Sequence, residues 1–125
     1  MAGVRDHTQL EVWQLADAIR REVYRLTASP QFFKHLHLRD QLRRAADSVC
    51  PNIAEGFARY FPRDFARFLR IAGGSLSELM DHLSVARERG LLEPKEAEAL
   101  MSLTRRAKGA CTRLIRYLQG AKEPK

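Results

Sequence analysis

Apolar residues return at three- and four-residue steps along almost the whole chain, and no stretch shows the two-residue alternation of a strand. Steps of three and four stack side chains on one face of a helix. Four segments carry this pattern. The first, from about Leu10 to Leu26, has the seam Val12, Ala16, Ile19, Val23 and Leu26. Thr8 with Glu11 three residues on reads as its capping box, and Ser29-Pro30 ends it. The second, from about Leu38 to Arg59, has the seam Leu38, Leu42, Ala45/Ala46, Val49, Ile53 and Phe57. A third begins at Pro62 or Arg63, a position where proline costs no hydrogen bond, and stops before Gly90. Its seam, Phe65, Leu69, Ala72, Leu76, Leu79, Leu83 and Ala86, alternates steps of four and three. The fourth opens at Glu93-Pro94 and runs to Leu118 or Gln119 through Ala97, Leu100, Leu103, Ala107, Ala110/Cys111, Leu114 and Leu118.

Four amphipathic helices with short connections predict an all-α, up-down-up-down antiparallel four-helix bundle. Heptad-like spacing predicts shallow, left-handed crossings. The folded domain is expected over 9–119, between a flexible arm over 1–8 and a flexible tail over 120–125. Gly73 and Gly74 fall mid-helix, where each glycine costs about 1 kcal/mol relative to alanine. A helix approaching closely, within the bundle or from another subunit, is the expected compensation. Trp13, Leu15, Tyr24, Phe68 and Ile71 lie beyond a single seam. Such residues mark either a wide core face or a second contact surface for a homo-oligomer.

The second helix also carries a polar line: Arg44, Ser48, Asn52, Glu55 and Arg59, roughly opposite its apolar seam at 100° per residue. Pro51 removes a backbone donor inside this helix, so a kink is expected, with Ser48 and Asn52 serving the freed backbone groups. Glu55 is spaced to pair with Arg59 one turn on. The line reads either as a solvated face around the proline or as a subunit or ligand interface.

Charge adds a statement about partners. The 125 residues carry a net charge of +7, with a pI near 10. Such a chain attracts nucleic acid, acidic proteins or anionic surfaces. From Thr104 onward, Arg105, Arg106, Lys108, Arg113, Arg116, Lys122 and Lys125 face one acid, Glu123. Arg63, Arg67 and Arg70 add cations on the third helix. Tyr117 is the only aromatic read as interleaved with these cations, so base stacking is not expected.

Chemistry finds little footing. Cys50 and Cys111 sit in apolar helical patterns without metal-ligand spacing and read as small core residues. His7, His35, His37 and His82 lack a companion motif, and no phosphate-binding glycine loop or catalytic triad is present. No catalytic residue, cofactor or metal is therefore expected. No apolar run is long enough for a membrane span, and no signal-peptide pattern opens the chain, so cytoplasmic residence is the expectation.

Longer blocks carry a family resemblance: LEVWQLA (Leu10 to Ala16), VYRLT (Val23 to Thr27), LRDQLRRAADSV (Leu38 to Val49), NIAEGFAR (Asn52 to Arg59) and FARFLRIAGGSLSEL (Phe65 to Leu79). In this order they resemble the bacterial four helix bundle protein family, also called 23S rRNA-intervening-sequence proteins. The resemblance implies a four-helix bundle. It also implies likeness to the accessory proteins of diversity-generating retroelements, which form homopentameric basic barrels and work with a reverse transcriptase and nucleic acid. Family members read SxPxNIAEG, whereas proline here falls one place later, at Pro51. His37 replaces a common glycine, and Tyr60-Phe61-Pro62 replaces a polar linker.

Two functions compete on this reading. One is a non-catalytic, homo-oligomeric binder of RNA or DNA phosphate, using Arg105, Arg106, Lys108, Arg113 and Arg116 with Arg63, Arg67 and Arg70. Ser48, Pro51, Asn52, Glu55, Arg59, Gly73 and Gly74 are its candidate structural or interface residues. The other is a protein-binding scaffold or adaptor with no direct nucleic-acid role.

Overall fold

Proline and glycine set most of the element boundaries. The computed structural model describes residue 1 and residues 3–121. Four long helices carry the fold: α1 (Glu11–Thr27), α2 (Leu36–Phe57), α3 (Pro62–Glu88) and α4 (Pro94–Gln119). No strand occurs among the described residues. Pro62 and Pro94 stand in the first turns of α3 and α4, where a missing N–H is harmless. Gly90 adopts φ +71° just past α3, a left-handed turn that glycine enters without a Cβ clash. Leu91 N–H then donates back to the Ala86 carbonyl at 3.0 Å, satisfying an end group of the helix.

The first helix departs from the expected start. No Thr8–Glu11 capping box forms. Instead Asp6 caps a short 3₁₀ turn over His7–Gln9, accepting from the Thr8 N–H at 2.8 Å while Gln9 closes the reciprocal bond. Leu10 then leads into α1 without a side-chain cap. The Asp6 backbone has the extended conformation that a cap requires, its carboxylate reaches the Thr8 N–H, and Gln9 lies three residues on. A second 3₁₀ turn, Pro30–Lys34, follows α1 and inserts Phe32 fully into the core.

The helices pack in a cycle, α1 on α2, α2 on α3, α3 on α4 and α4 on α1, with α2–α3 the most extensive pairing. Named polar contacts tie three of these pairs. Tyr24 donates to Asp47 at 2.6 Å, and Arg43 donates to the Thr27 hydroxyl at 2.9 Å. Arg87 of α3 reaches the Met101 sulfur of α4 at 3.4 Å. Arg25 and Arg113 bridge α1 and α4 through Glu96 and Glu11, at 2.8 and 3.1 Å.

The expected seams are the core. Ile19, Val23, Leu42, Val49, Ile53, Leu69, Leu76, Leu79 and Leu83 are fully buried. Each such side chain contributes about 1.5–3 kcal/mol by leaving water. Phe57, Leu103 and Leu114 are only partly buried at the edges of the seams. Thr27 and Thr104 are buried too, and each donates to the carbonyl four residues back, Val23 at 2.6 Å and Leu100 at 2.7 Å. No buried side-chain nitrogen or oxygen lacks a partner among the described residues. Cys50 and Cys111 are free and buried, as their seam positions predict.

Glycine placement excludes one of the two expected compensations at Gly73 and Gly74, a close helix within the bundle. A Cβ on Gly73 or Gly74 meets nothing within 4 Å, so no helix of this chain approaches there. The close approach falls at Gly56, where a Cβ would stand 2.8 Å from Phe68 Cβ, 2.9 Å from Phe65 Cδ1 and 3.3 Å from the Phe65 carbonyl oxygen. Gly56 thus sets how closely α2 lies on α3.

Candidate nucleic-acid interface

The five nominated cations of α4 span an arc of roughly 160° at 100° per residue, with Arg105, Arg106, Arg113 and Arg116 facing away from the α4 seam and half-buried Lys108 at its edge. Two of them are neutralised in place: Arg105 pairs with Glu98 at 2.8 Å and Arg113 with Glu11 at 3.1 Å. Both pairs are solvent-exposed and weak, of the kind worth less than about 1 kcal/mol. Arg106, Lys108 and Arg116 have no carboxylate within ion-pairing distance among the described residues, and neither do Arg63, Arg67 and Arg70 of α3. Lys122 and Lys125, with Glu123, lie outside the described residues.

The cations fall into two groups. Arg105, Arg106 and Arg113 line a shallow cleft of about 420 Å³ between α1 and α4, with Glu11 and Gly109. Arg63 and Arg70 line another, of about 230 Å³, against Leu118 and Gln119 at the end of α4. This second cleft brings the first turns of α3 beside the last turn of α4.

Aromatic side chains accompany the α3 cations, which overturns the expectation that only Tyr117 interleaves with basic residues. Arg67 and Arg59 both lie over the Phe68 ring, at 4.6 and 4.9 Å from its centroid. Arg63 lies over Phe61 at 5.6 Å. Tyr60 meets Phe61 edge to face, with centroids 5.1 Å apart and planes at 85°. The tripeptide Tyr60-Phe61-Pro62 ahead of Arg63 was the available signal in the sequence. What the sequence hides is that α2 folds back to place Arg59 on the ring of Phe68.

The polar line of α2 divides. Ser48 is half-buried and faces α3, where its hydroxyl meets that of Ser75 and also donates to the Ala45 carbonyl at 3.0 Å. Asn52 donates from Nδ2 to the Ser48 carbonyl at 2.7 Å. Neither side chain bonds the Asp47 carbonyl, the one that Pro51 leaves without its helical donor, so the expected repair of that group does not form. The helix nevertheless continues through Pro51, whose ring is exposed. Glu55 pairs with Arg59 at 2.7 Å across one turn, as its spacing predicts. Arg44, Glu55 and Arg59 are exposed, as is Gly74, while Asn52 and Gly73 are half-buried.

Groups with chemical potential are few. His35 and His37 lie at the start of α2, and with His82, Lys34 and Arg89 they line a surface cavity of about 330 Å³. His82 packs against Glu78, 3.3 Å away. No set of three metal-ligating side chains converges among the described residues. Burial pushes the thiols of Cys50 and Cys111 up to about 11, which keeps them protonated and unreactive near neutral pH. No helix among the described residues is long and apolar enough to cross a membrane.

No curated protein matches this chain. A family model does, over residues 8–113, a span from the turn before α1 into the last third of α4 that includes the polar line of α2, the Gly56 contact and six of the eight nominated cations in full helical context, with Arg113 at its edge. On that match the four-helix chain belongs to the 23S rRNA-intervening sequence protein family.

Proposed function

We propose that this protein is a non-catalytic, basic homo-oligomer that binds the phosphate backbone of RNA or DNA with weak sequence specificity. The observation that supports it most is the set of exposed cations on α3 and α4 left without carboxylate partners: Arg63, Arg67, Arg70, Arg106 and Arg116, with half-buried Lys108. Cations without internal partners are free to displace counterions from a phosphate chain, which yields affinity that falls steeply with salt. In the proposed architecture the bundle is up-down-up-down and left-handed, in keeping with the cyclic packing of its helices.

The proposed assembly is a homopentamer acting in the cytoplasm as accessory to a reverse transcriptase, by likeness to the retroelement accessory proteins. Gly73 and Gly74 support an oligomer, since no helix of the same chain covers them. Ile71, 44% exposed and one turn before Gly74, adds apolar surface on that residue's face. A ring repeats each subunit's cations and so multiplies modest contacts into avidity.

A scaffold role is the second reading, favoured by the pairing of Arg105 and Arg113 with acids of the same chain. Titration of a fluorescent duplex and a fluorescent RNA at about 50 mM salt decides between them. The first reading expects binding to either, weakened by Arg113→Glu/Arg116→Glu with helicity unchanged. Failure of the wild-type protein to bind both would leave the scaffold.

A further inference from the structure

We propose that the end of the molecule where α2 turns into α3 is a stacking platform for unpaired nucleotides, with Tyr60 as the ring that receives a base. Tyr60 is the most exposed large hydrophobic side chain described, at 71%. Phe61 meets the ring edge to face, and most of the tyrosine surface remains open to solvent. A tyrosine has only two side-chain torsions to fix, so it gives up little freedom when a base stacks on it.

The surroundings carry the charge that a nucleic acid requires. Arg63 is held over Phe61 and Arg67 over Phe68, while Arg59, also over Phe68, is occupied by Glu55. Stacking on a ring fixes a guanidinium's plane but leaves its edge N–H groups available to phosphate oxygens. Glu55 is already engaged by Arg59, and Asp64 in the first turn of α3 is half-buried. One open ring therefore stands within a few residues of oriented cations at one end of the bundle. A base on the ring with its flanking phosphates on the cations is how single strands are held.

A duplex does not fit this surface in the same way. Its bases are stacked on each other, so an isolated exposed ring finds no face to cover. The platform thus separates single-stranded from double-stranded partners within the proposed nucleic-acid function, on which it rests.

The test compares labelled oligo(dT) and oligo(U) of about 15 nucleotides with a duplex of the same length. Tyr60→Ala is expected to weaken single-strand binding about tenfold, with duplex binding nearly unchanged. Tyr60→Phe keeps the ring and is expected to bind like wild type. Because Tyr60 is exposed, circular dichroism should show all three proteins equally folded. If wild type binds nucleic acid but Tyr60→Ala binds single strands undiminished, or loses duplex and single strand alike, the platform is wrong and the phosphate reading survives. Wild type binding neither would remove both.

Discussion

Gly56→Ala separates two opposing effects whose sizes the structure sets. Alanine in place of glycine inside a helix stabilises by about 1 kcal/mol, through backbone entropy. At Gly56 the added methyl would stand 2.8 Å from Phe68 Cβ and 2.9 Å from Phe65 Cδ1. Neither atom swings away easily. A Cβ moves only with its backbone, Phe65 is buried, and its carbonyl lies 3.3 Å from the same point. α3 must therefore shift outward along the most extensive helix pairing of the molecule. Overpacking of this kind costs about 1–3 kcal/mol, and more when backbone must move. The net expectation is a destabilisation of about 1–2 kcal/mol, or several degrees in Tm for a domain of this size. Urea denaturation followed at 222 nm measures it, with the m-value unchanged. Gly74→Ala is the control within one chain: nothing of this chain lies within 4 Å of its Cβ, so the same substitution is expected to stabilise the unassembled subunit by about 0.5–1 kcal/mol. A Gly56→Ala protein as stable as Gly74→Ala would refute the close approach.

Other outcomes follow from the charges, the polar line and the thiols. Log affinity for duplex against log salt should slope with a magnitude of at most about 5 per subunit, if six unpaired cations each meet a phosphate. Arg113→Glu/Arg116→Glu should lower that magnitude by about 1, since Arg116 is one of the six while Arg113 is already paired with Glu11. A slope near zero would exclude phosphate as the ligand. Asn52→Ala should change monomer stability by less than about 1 kcal/mol, since its amide serves a carbonyl of its own helix. Dissociation seen by light scattering in that variant would place Asn52 at a subunit interface, and an unchanged mass would confine it to α2. Cys50 and Cys111 have their thiols pushed up by burial to about 11, so alkylation near pH 8 should run at least about tenfold slower in the native than in the unfolded protein. The sign for stability is fixed by the same shift: protonated thiols favour the fold, and this contribution is lost as pH rises through about 11. Equal alkylation rates would mean that these cysteines are not core residues.

The seams needed no tertiary knowledge. Leu69, Leu76, Leu79 and Leu83 recur at helical spacing, and burying that face is the largest favourable term available to the chain. Pro62, Gly90 and Pro94 end or open helices for backbone reasons that act within a few residues. The local pair of Glu55 and Arg59 is legible on the same grounds. The start of α1 was legible only in part. Thr8 and Asp6 are both capping residues near one another, and their choice depends on backbone angles that the sequence pattern leaves open.

What spacing along one helix cannot carry is the identity of the neighbour across the bundle. The sequence by itself determined four amphipathic helices, their punctuation, their apolar faces and a surplus of cations. Tertiary structure decided that Gly56, and neither Gly73 nor Gly74, lies under a facing helix. It decided that Ser48 meets Ser75 rather than water, that Glu11 neutralises Arg113 from 102 residues away, and that Arg59 joins Arg67 on one ring. Periodicity sets which way a side chain faces on its own helix. Rotation and distance between helices are set by how all the faces pack together, and pairings between charges or rings on different helices exist only once that packing is in place.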